Sequence, residues 1–310
     1  MAGHTRRTRL HLTLAALLGL PLLGLVGCGP DAGADGEAEA GGAMQGAEAT
    51  MAMAEPTPPP DEAGAPAALN RSPRHGEWVD VPLPGSDVPV RTWAVYPERS
   101  DDAPVVIVIM EIYGLTDWIR SVADQMAAEG FIALAPDLLS GMGPGGGGTE
   151  AFASRDDVVA GVRGLESEEA MRRLDAVRAY ALTIPSGTGE VGVVGFCWGG
   201  GTSFTYAAHQ PDLDAAIVYY GSSPSDSEVY GGITAPVLGL YGGDDQRVNA
   251  TIPGAQEAMS GLGKPYEVEI YDGAGHGFLR AQADREGANM RATEQAWDRT
   301  VAFFREHLGG

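Results

Sequence analysis

The chain reads as an α/β fold with a mostly parallel central sheet and helices on both faces. Three observations predict it. Short apolar, β-branched runs alternate with stretches of helical period from about Gly76 to the end. The strongest runs, residues 105–111 and 191–196, are apolar without alternation, as in strands buried on both faces. The residues best suited to chemistry, Glu111, Cys197, Asp245 and His276, all fall just past such runs, at the carboxyl ends of strands where sheets of this kind carry their sites.

The elements follow in order. Residues 79–84 and 88–95 open the domain as an antiparallel pair. Residues 105–111 form a buried strand, 119–129 an amphipathic helix, and 131–135 the next strand, closed by Pro136-Asp137. The glycine run in 142–149 reads as a mobile loop near a pocket rim. Helices at 156–165 and 167–181 precede the strand 191–196 and its helix, 199–209. Further strands are expected at 215–220, 237–241 and 266–271. Residues 288–308 close the chain as a helix with Trp297, Val301 and Phe304 at helical spacing.

The segment Gly195-Phe196-Cys197-Trp198-Gly199 has the Gly-x-nucleophile-x-Gly spacing of a strand-to-helix elbow, with cysteine where serine usually sits. The nucleophile needs a strained turn, and side chains at the flanking positions would strike neighbouring backbone. A helix starting at the thiol offers its positive end and free N–H groups to a thiolate and an oxyanion. The alternative is a buried structural cysteine. Two motifs downstream favour the nucleophile. Residues 237–241 run into Gly242-Gly243-Asp244-Asp245, where either aspartate could orient a histidine or simply cap a helix. Residues 266–271 run into Gly273-Ala274-Gly275-His276-Gly277. Of six histidines, His4, His11, His75, His209 and His307 lie in the leader, beside the tether, at a helix end or in the tail, which leaves His276 as the base. The backbone N–H groups of Trp198 and Ile112 are the expected oxyanion donors.

Composition limits the partners. A formal charge of -22, with Lys264 the only lysine, argues against nucleic acid. It fits a solvated, repelling surface and names no substrate. Hydrophobic content of 44% over 310 residues suffices for one large domain.

The N-terminus reads as an address. Arg6, Arg7 and Arg9 precede an apolar stretch, residues 10–26, which ends in Leu25-Val26-Gly27-Cys28. This resembles a bacterial lipoprotein signal peptide, and the resemblance implies cleavage after residue 27 and a lipid on Cys28. A single transmembrane anchor is the alternative, although the stretch is at the short end of the ~17–25 residues needed. Residues 28–75 are rich in Ala, Gly, Glu and Pro and read as a lipidated, disordered tether. The three expected segments are thus 1–27, 28–75 and 76–310. Localisation at the cell envelope, anchored to a membrane through Cys28, follows. Cys197 is then the one free thiol of an exported chain.

Glu111-Ile112-Tyr113-Gly114, Ile119-Arg120, Pro136-Asp137-Leu138, the cysteine elbow, Gly243-x-Asp245 and His276-Gly277-Phe278 together resemble the dienelactone hydrolase family. The resemblance covers roughly residues 76–308. It implies a single α/β-hydrolase domain with no metal and no organic cofactor, and hydrolysis of a small ester or lactone, which in the founding activity opens a dienelactone ring. It also implies a triad of Cys197, Asp245 and His276, with the family's Gly-Gly-x-Asp spacing selecting Asp245 over Asp244. Glu111 matches a family glutamate that takes the thiol proton when substrate arrives; pairing with an arginine is its structural alternative. Arg280 matches an arginine that binds a substrate carboxylate, with Tyr113 beside it and Arg155, in a loosely aligned region, as the second such arginine. The expected partner is a small ester or lactone that bears a carboxylate, acted on by a monomer.

The lipoprotein leader, the glycine-rich loop and Gly201 depart from the family pattern. They bear on the substrate more than on the reaction. Competing readings are a non-catalytic, membrane-tethered binding protein on a hydrolase scaffold, and a peptidase or other acyl hydrolase on the same fold.

Overall fold

Eight strands form one sheet and, counted in chain order, lie across it as 1-2-4-3-5-6-7-8. The computed structural model describes residues 55–309. The leader, Cys28 and the tether as far as residue 54 lie outside the described residues. β1 (Gly76–Val81) and β2 (Val90–Val95) pair antiparallel, as expected, and β2 pairs antiparallel with β4 (Ile132–Pro136). From β4 onward all pairing is parallel, through β3 (Ala103–Ile109), β5 (Gly187–Phe196), β6 (Ala215–Tyr219), β7 (Val237–Gly242) and β8 (Tyr266–Tyr271).

The central strands are the apolar runs of the sequence. Every residue of β3, β4, β6 and β7 is buried, because helices cover both faces. The chain order reverses at β3, whose neighbours are β4 on one side and β5 on the other. That switch point sets the ends of β3 and β5 side by side, and the loops carrying Glu111 and Cys197 meet there.

α2 (Asp117–Ala128) begins where the Thr116 hydroxyl accepts from the Ile119 N–H, and it buries Trp118, Ile119, Val122, Ala123 and Met126. α3 (Arg155–Arg163) and α4 (Ser167–Ala181) follow the predicted spans to within a turn. α5 (Trp198–His209) springs directly from Cys197. α8 (Ala288–Phe304) buries Ala292, Ala296, Trp297, Val301 and Phe304 along one stripe. Two further helices, α6 (Gln246–Asn249) and α7 (Ile252–Gly261), occupy the β7–β8 connection, where no helix was expected.

Two expectations are corrected. The tether was expected to run unstructured to residue 75. Its last third instead packs on the domain and contains α1 (Ala65–Arg71). Pro59 and Ala65 are buried. The Pro59 carbonyl accepts from Gln282 Nε2 at 2.8 Å, and the Pro60 carbonyl from Trp118 Nε1 at 3.1 Å. Asp124 on α2 accepts from Ser72 at 2.5 Å and pairs with Arg74. Proline rigidity lowers the entropy lost on docking, and the bonds run through carbonyls, which a composition reading does not register.

The glycine run at 142–149 was expected as a mobile loop. It folds into two single-turn 3-10 segments, Pro144–Gly146 and Thr149–Ala151. Buried Asp137 pins it by accepting from the Thr149 N–H at 2.6 Å and from its hydroxyl at 2.7 Å. The same hydroxyl oxygen accepts from the Leu115 N–H at 3.1 Å, tying the run to the loop after β3.

Candidate active site

The Cys197 backbone has φ 55° and ψ −112°, a left-side conformation that costs a non-glycine residue on the order of 1–3 kcal/mol. The surroundings hold it there. Its N–H donates to the Tyr219 carbonyl at 3.1 Å, and its carbonyl accepts from the Gly201 N–H at 3.2 Å. The flanking glycines are obligatory on contact distance. A Cβ on Gly195 would sit 1.9 Å from the Gly199 carbonyl oxygen, and one on Gly199 would sit 2.3 Å from that of Met110.

His276 reaches back from the loop after β8. Its Nε2 is 3.1 Å from Cys197 Sγ and its Nδ1 is 2.5 Å from Asp245 Oδ2. Asp245 is buried and does two jobs: Oδ2 meets the imidazole while Oδ1 caps α6 by accepting from the Val248 N–H at 3.4 Å. Asp244 points elsewhere and pairs with Arg285 at 2.7 Å. Of the two aspartates, Asp245 is the one beside His276.

The thiol is harder to ionise than its place at a helix start suggests. Burial and, next, the nearby Glu111 charge push it up to about 11, against the opposing pull of the Trp198 N–H, Arg247 and Arg280. The local dipole is present but outweighed. A protonated thiol 3.1 Å from the imidazole is positioned to donate to it.

Glu111 is buried, and desolvation raises its carboxyl to about 7 even with Arg280 pulling it down. Arg280 Nε donates to Glu111 Oε2 at 2.9 Å. Glu111 thus has the arginine pairing weighed as its structural alternative, and it also lies close enough to bear on the thiol. Arg155 and Arg280 converge on Tyr113, with guanidinium carbons 3.5 and 5.3 Å from its ring centre. The three residues expected at a substrate carboxylate are therefore brought together. Between the two guanidiniums lies a residue the sequence did not flag. Glu62, from the segment before α1, holds Arg280 Nη1 at 2.5 Å with Oε2 and Arg155 Nη2 at 3.3 Å with Oε1. Burial works against the charge of Arg280, but Glu111 and Glu62 outweigh it and hold its pKa above the usual value.

A cavity of about 670 Å³ opens onto the thiol from the side of α3 and α4. Ile112, Cys197, Trp198 and Tyr220 line it beside the elbow, Leu165 lines it from the turn between α3 and α4 and Met171 from α4, and Arg163 and Arg247 also border it. The Ile112 N–H donates to no acceptor among the described residues, as an oxyanion donor requires. Tyr220 was also missed by the sequence reading. Its φ is 37°, its ring meets His276 edge-on at 5.2 Å, and its buried hydroxyl has no partner among the described residues. Its place at the end of β6, one strand from the elbow, was the available signal. Among the described residues no cluster of three or more His, Cys, Asp or Glu side chains could hold a metal.

A nucleophile elbow at a sheet switch point, followed in chain order by an acid and a histidine, defines an α/β-hydrolase. The dienelactone hydrolase family model matches residues 90–308, and the chain belongs to that family. A Methylorubrum extorquens protein with the provisional name carboxymethylenebutenolidase is 33% identical over 240 residues, covering 74% of this chain and 80% of its own. A Salmonella typhimurium protein of the same provisional name is 31% identical over 244 residues, covering 74% and 87%. Among solved structures, a dienelactone hydrolase homologue from Klebsiella pneumoniae superposes with a TM-score of 0.66 at 26% identity, covering 75% of this chain and 99% of that one. A dienelactone hydrolase-like promiscuous phosphotriesterase from metagenomic libraries gives 0.63 at 25% identity, covering 76% and 98%. The protein is a hydrolase of the dienelactone hydrolase type.

Proposed function

We propose that the chain hydrolyses a small ester or lactone through a cysteine nucleophile and an acyl-enzyme. The observation that carries this reading is His276 standing between the thiol and the buried Asp245 carboxylate, at 3.1 and 2.5 Å, beside a cavity large enough for a small substrate.

As Cys197 Sγ attacks the acyl carbon, its proton passes to His276 Nε2, and Asp245 steadies the imidazolium through Nδ1–H. The carbonyl oxygen takes the electron pair and faces the N–H groups of Ile112 and Trp198. The C–O bond then breaks, and the leaving oxygen takes the proton back from Nε2; in a lactone this oxygen stays attached. Water next gives a proton to Nε2 and attacks the thioester. Collapse releases the acid and returns sulfur and proton to the resting thiol. Glu111, ionised near neutrality, is a second acceptor of the thiol proton on this reading.

The family's dienelactone chemistry makes a lactone the first substrate to try, with neutral phosphotriesters a useful addition. Replacing Cys197 with Ala is expected to remove turnover across a panel of esters and lactones. Undiminished turnover in that variant rejects the reading, and a panel that no form of the protein turns over favours the non-catalytic alternative. We further propose a monomer held at the cell envelope by lipid on Cys28. Labelling with radioactive fatty acid, lost on Cys28→Ala, is the expected result; unchanged labelling overturns it.

A further inference from the structure

We propose that Glu62 is a specificity-determining residue. From within the chain it fills the anion subsite formed by Arg155 and Arg280, so that the enzyme selects esters carrying no carboxylate at that end.

The arrangement is that of a bound carboxylate. One oxygen of Glu62 meets Arg280 and the other meets Arg155, with Tyr113 under both guanidiniums. A substrate carboxylate would need the same donors and would meet a fixed negative charge. Single exposed ion pairs are weak, and Glu62 is 40% exposed, so attraction alone would not keep it in place. The segment is held by other means. The Glu62 N–H donates to the Arg280 carbonyl at 3.0 Å, so backbone and side chain grip the same residue. Just upstream, Pro59 and Pro60 are bonded to Gln282 and Trp118. The backbone bond at Glu62 and the bonds to Pro59 and Pro60 do not use the Glu62 carboxylate. The carboxylate is thus presented at a high local concentration that a free competitor must overcome. The cavity that opens on the thiol is lined by neither arginine nor Tyr113, so an uncharged ester reaches Cys197 without disturbing Glu62.

The kinetic arm of the test rests on the hydrolytic reading, and the binding arm does not. Glu62→Gln keeps the backbone bonds and the shape, and Glu62→Ala removes the group outright. For each, kcat/KM is measured on 4-nitrophenyl butyrate and on the 4-nitrophenyl monoester of succinate. The ratio of charged to uncharged ester is expected to be low in the unaltered protein and to rise about tenfold or more in both variants. A general loss of structure would lower both rates and leave the ratio alone. An unchanged ratio, or an unaltered protein that already prefers the charged ester, overturns the proposal. In parallel, succinate binding is titrated calorimetrically into the Cys197→Ala protein with and without Glu62→Gln. Binding about tenfold tighter without the Glu62 charge supports the proposal, even if no ester is hydrolysed. Equal affinity overturns it.

Discussion

Arg280 Nε lies 2.9 Å from Glu111 Oε2, joining the loop after β8 to the loop after β3, and both charges act on the Cys197 thiol. The pair neutralises a carboxylate with a 4% exposed side chain, and it does so incompletely, since Glu111 still stands at about 7. Much of the behaviour of the site follows from that imbalance.

Arg280→Ala leaves Glu111 buried without its partner. The folded carboxyl is already raised above its unfolded value, so the folded state prefers the protonated form, and ionising it costs stability as pH rises. Removing Arg280 raises it further. The variant is therefore expected to lose about 3 kcal/mol above pH 8, where the acid is ionised in the unfolded chain. It should lose clearly less at pH 5. Denaturant melts at the two pH values check this, and an equal loss at both would contradict it.

The thiol is pushed up by burial and then by Glu111, so alkylation by iodoacetamide is expected to be slow at pH 7 and to climb about tenfold per pH unit towards its pKa of about 11. Glu111→Gln removes a charge that opposes the thiolate, and alkylation at pH 8 should quicken several-fold. A fast rate independent of pH between 6 and 9 would mean a preformed thiolate–imidazolium pair and would refute the expectation.

Asp245→Asn keeps the cap on α6 within reach but presents the wrong partner to Nδ1. A fall in kcat of about 10²–10⁴ is expected, with the melting temperature little changed. Asp244→Asn, which loses only the contact with Arg285, should stay within twofold. Equal losses in the two variants would sink the assignment.

Gly195→Ala drives a methyl group to 1.9 Å from a carbonyl oxygen, whereas Gly201→Ala brings one to 3.1 Å from Ser222 O. The first is expected to abolish soluble, active protein. The second should fold with a modest shift in melting temperature. Soluble, active Gly195→Ala protein would show that the elbow relaxes.

The fold was legible because its central strands are short apolar runs that alternate with stretches of helical period, as at 105–111 and 191–196. The groups at the thiol were legible because cysteine, acid and histidine each follow a strand in a fixed order. Glu62 was not. Proline and alanine around it carry no apolar period, and the docking runs through main-chain carbonyls. α7 carries Pro253 and Gly254 in its first turn; both usually punctuate a helical pattern, although proline is well placed at a helix start. The helix end beside the thiol is visible in sequence, while its burial and the carboxylate brought to it from another loop are properties of the folded chain.

The proline segment is stitched to α2 at Trp118 and to the stretch after His276 at Arg280 and Gln282. A pull applied at residue 55 would load these two elements before any strand of the sheet. Mechanical tension on the amino end is thus routed first to the place where imidazole and sulfur must keep their spacing.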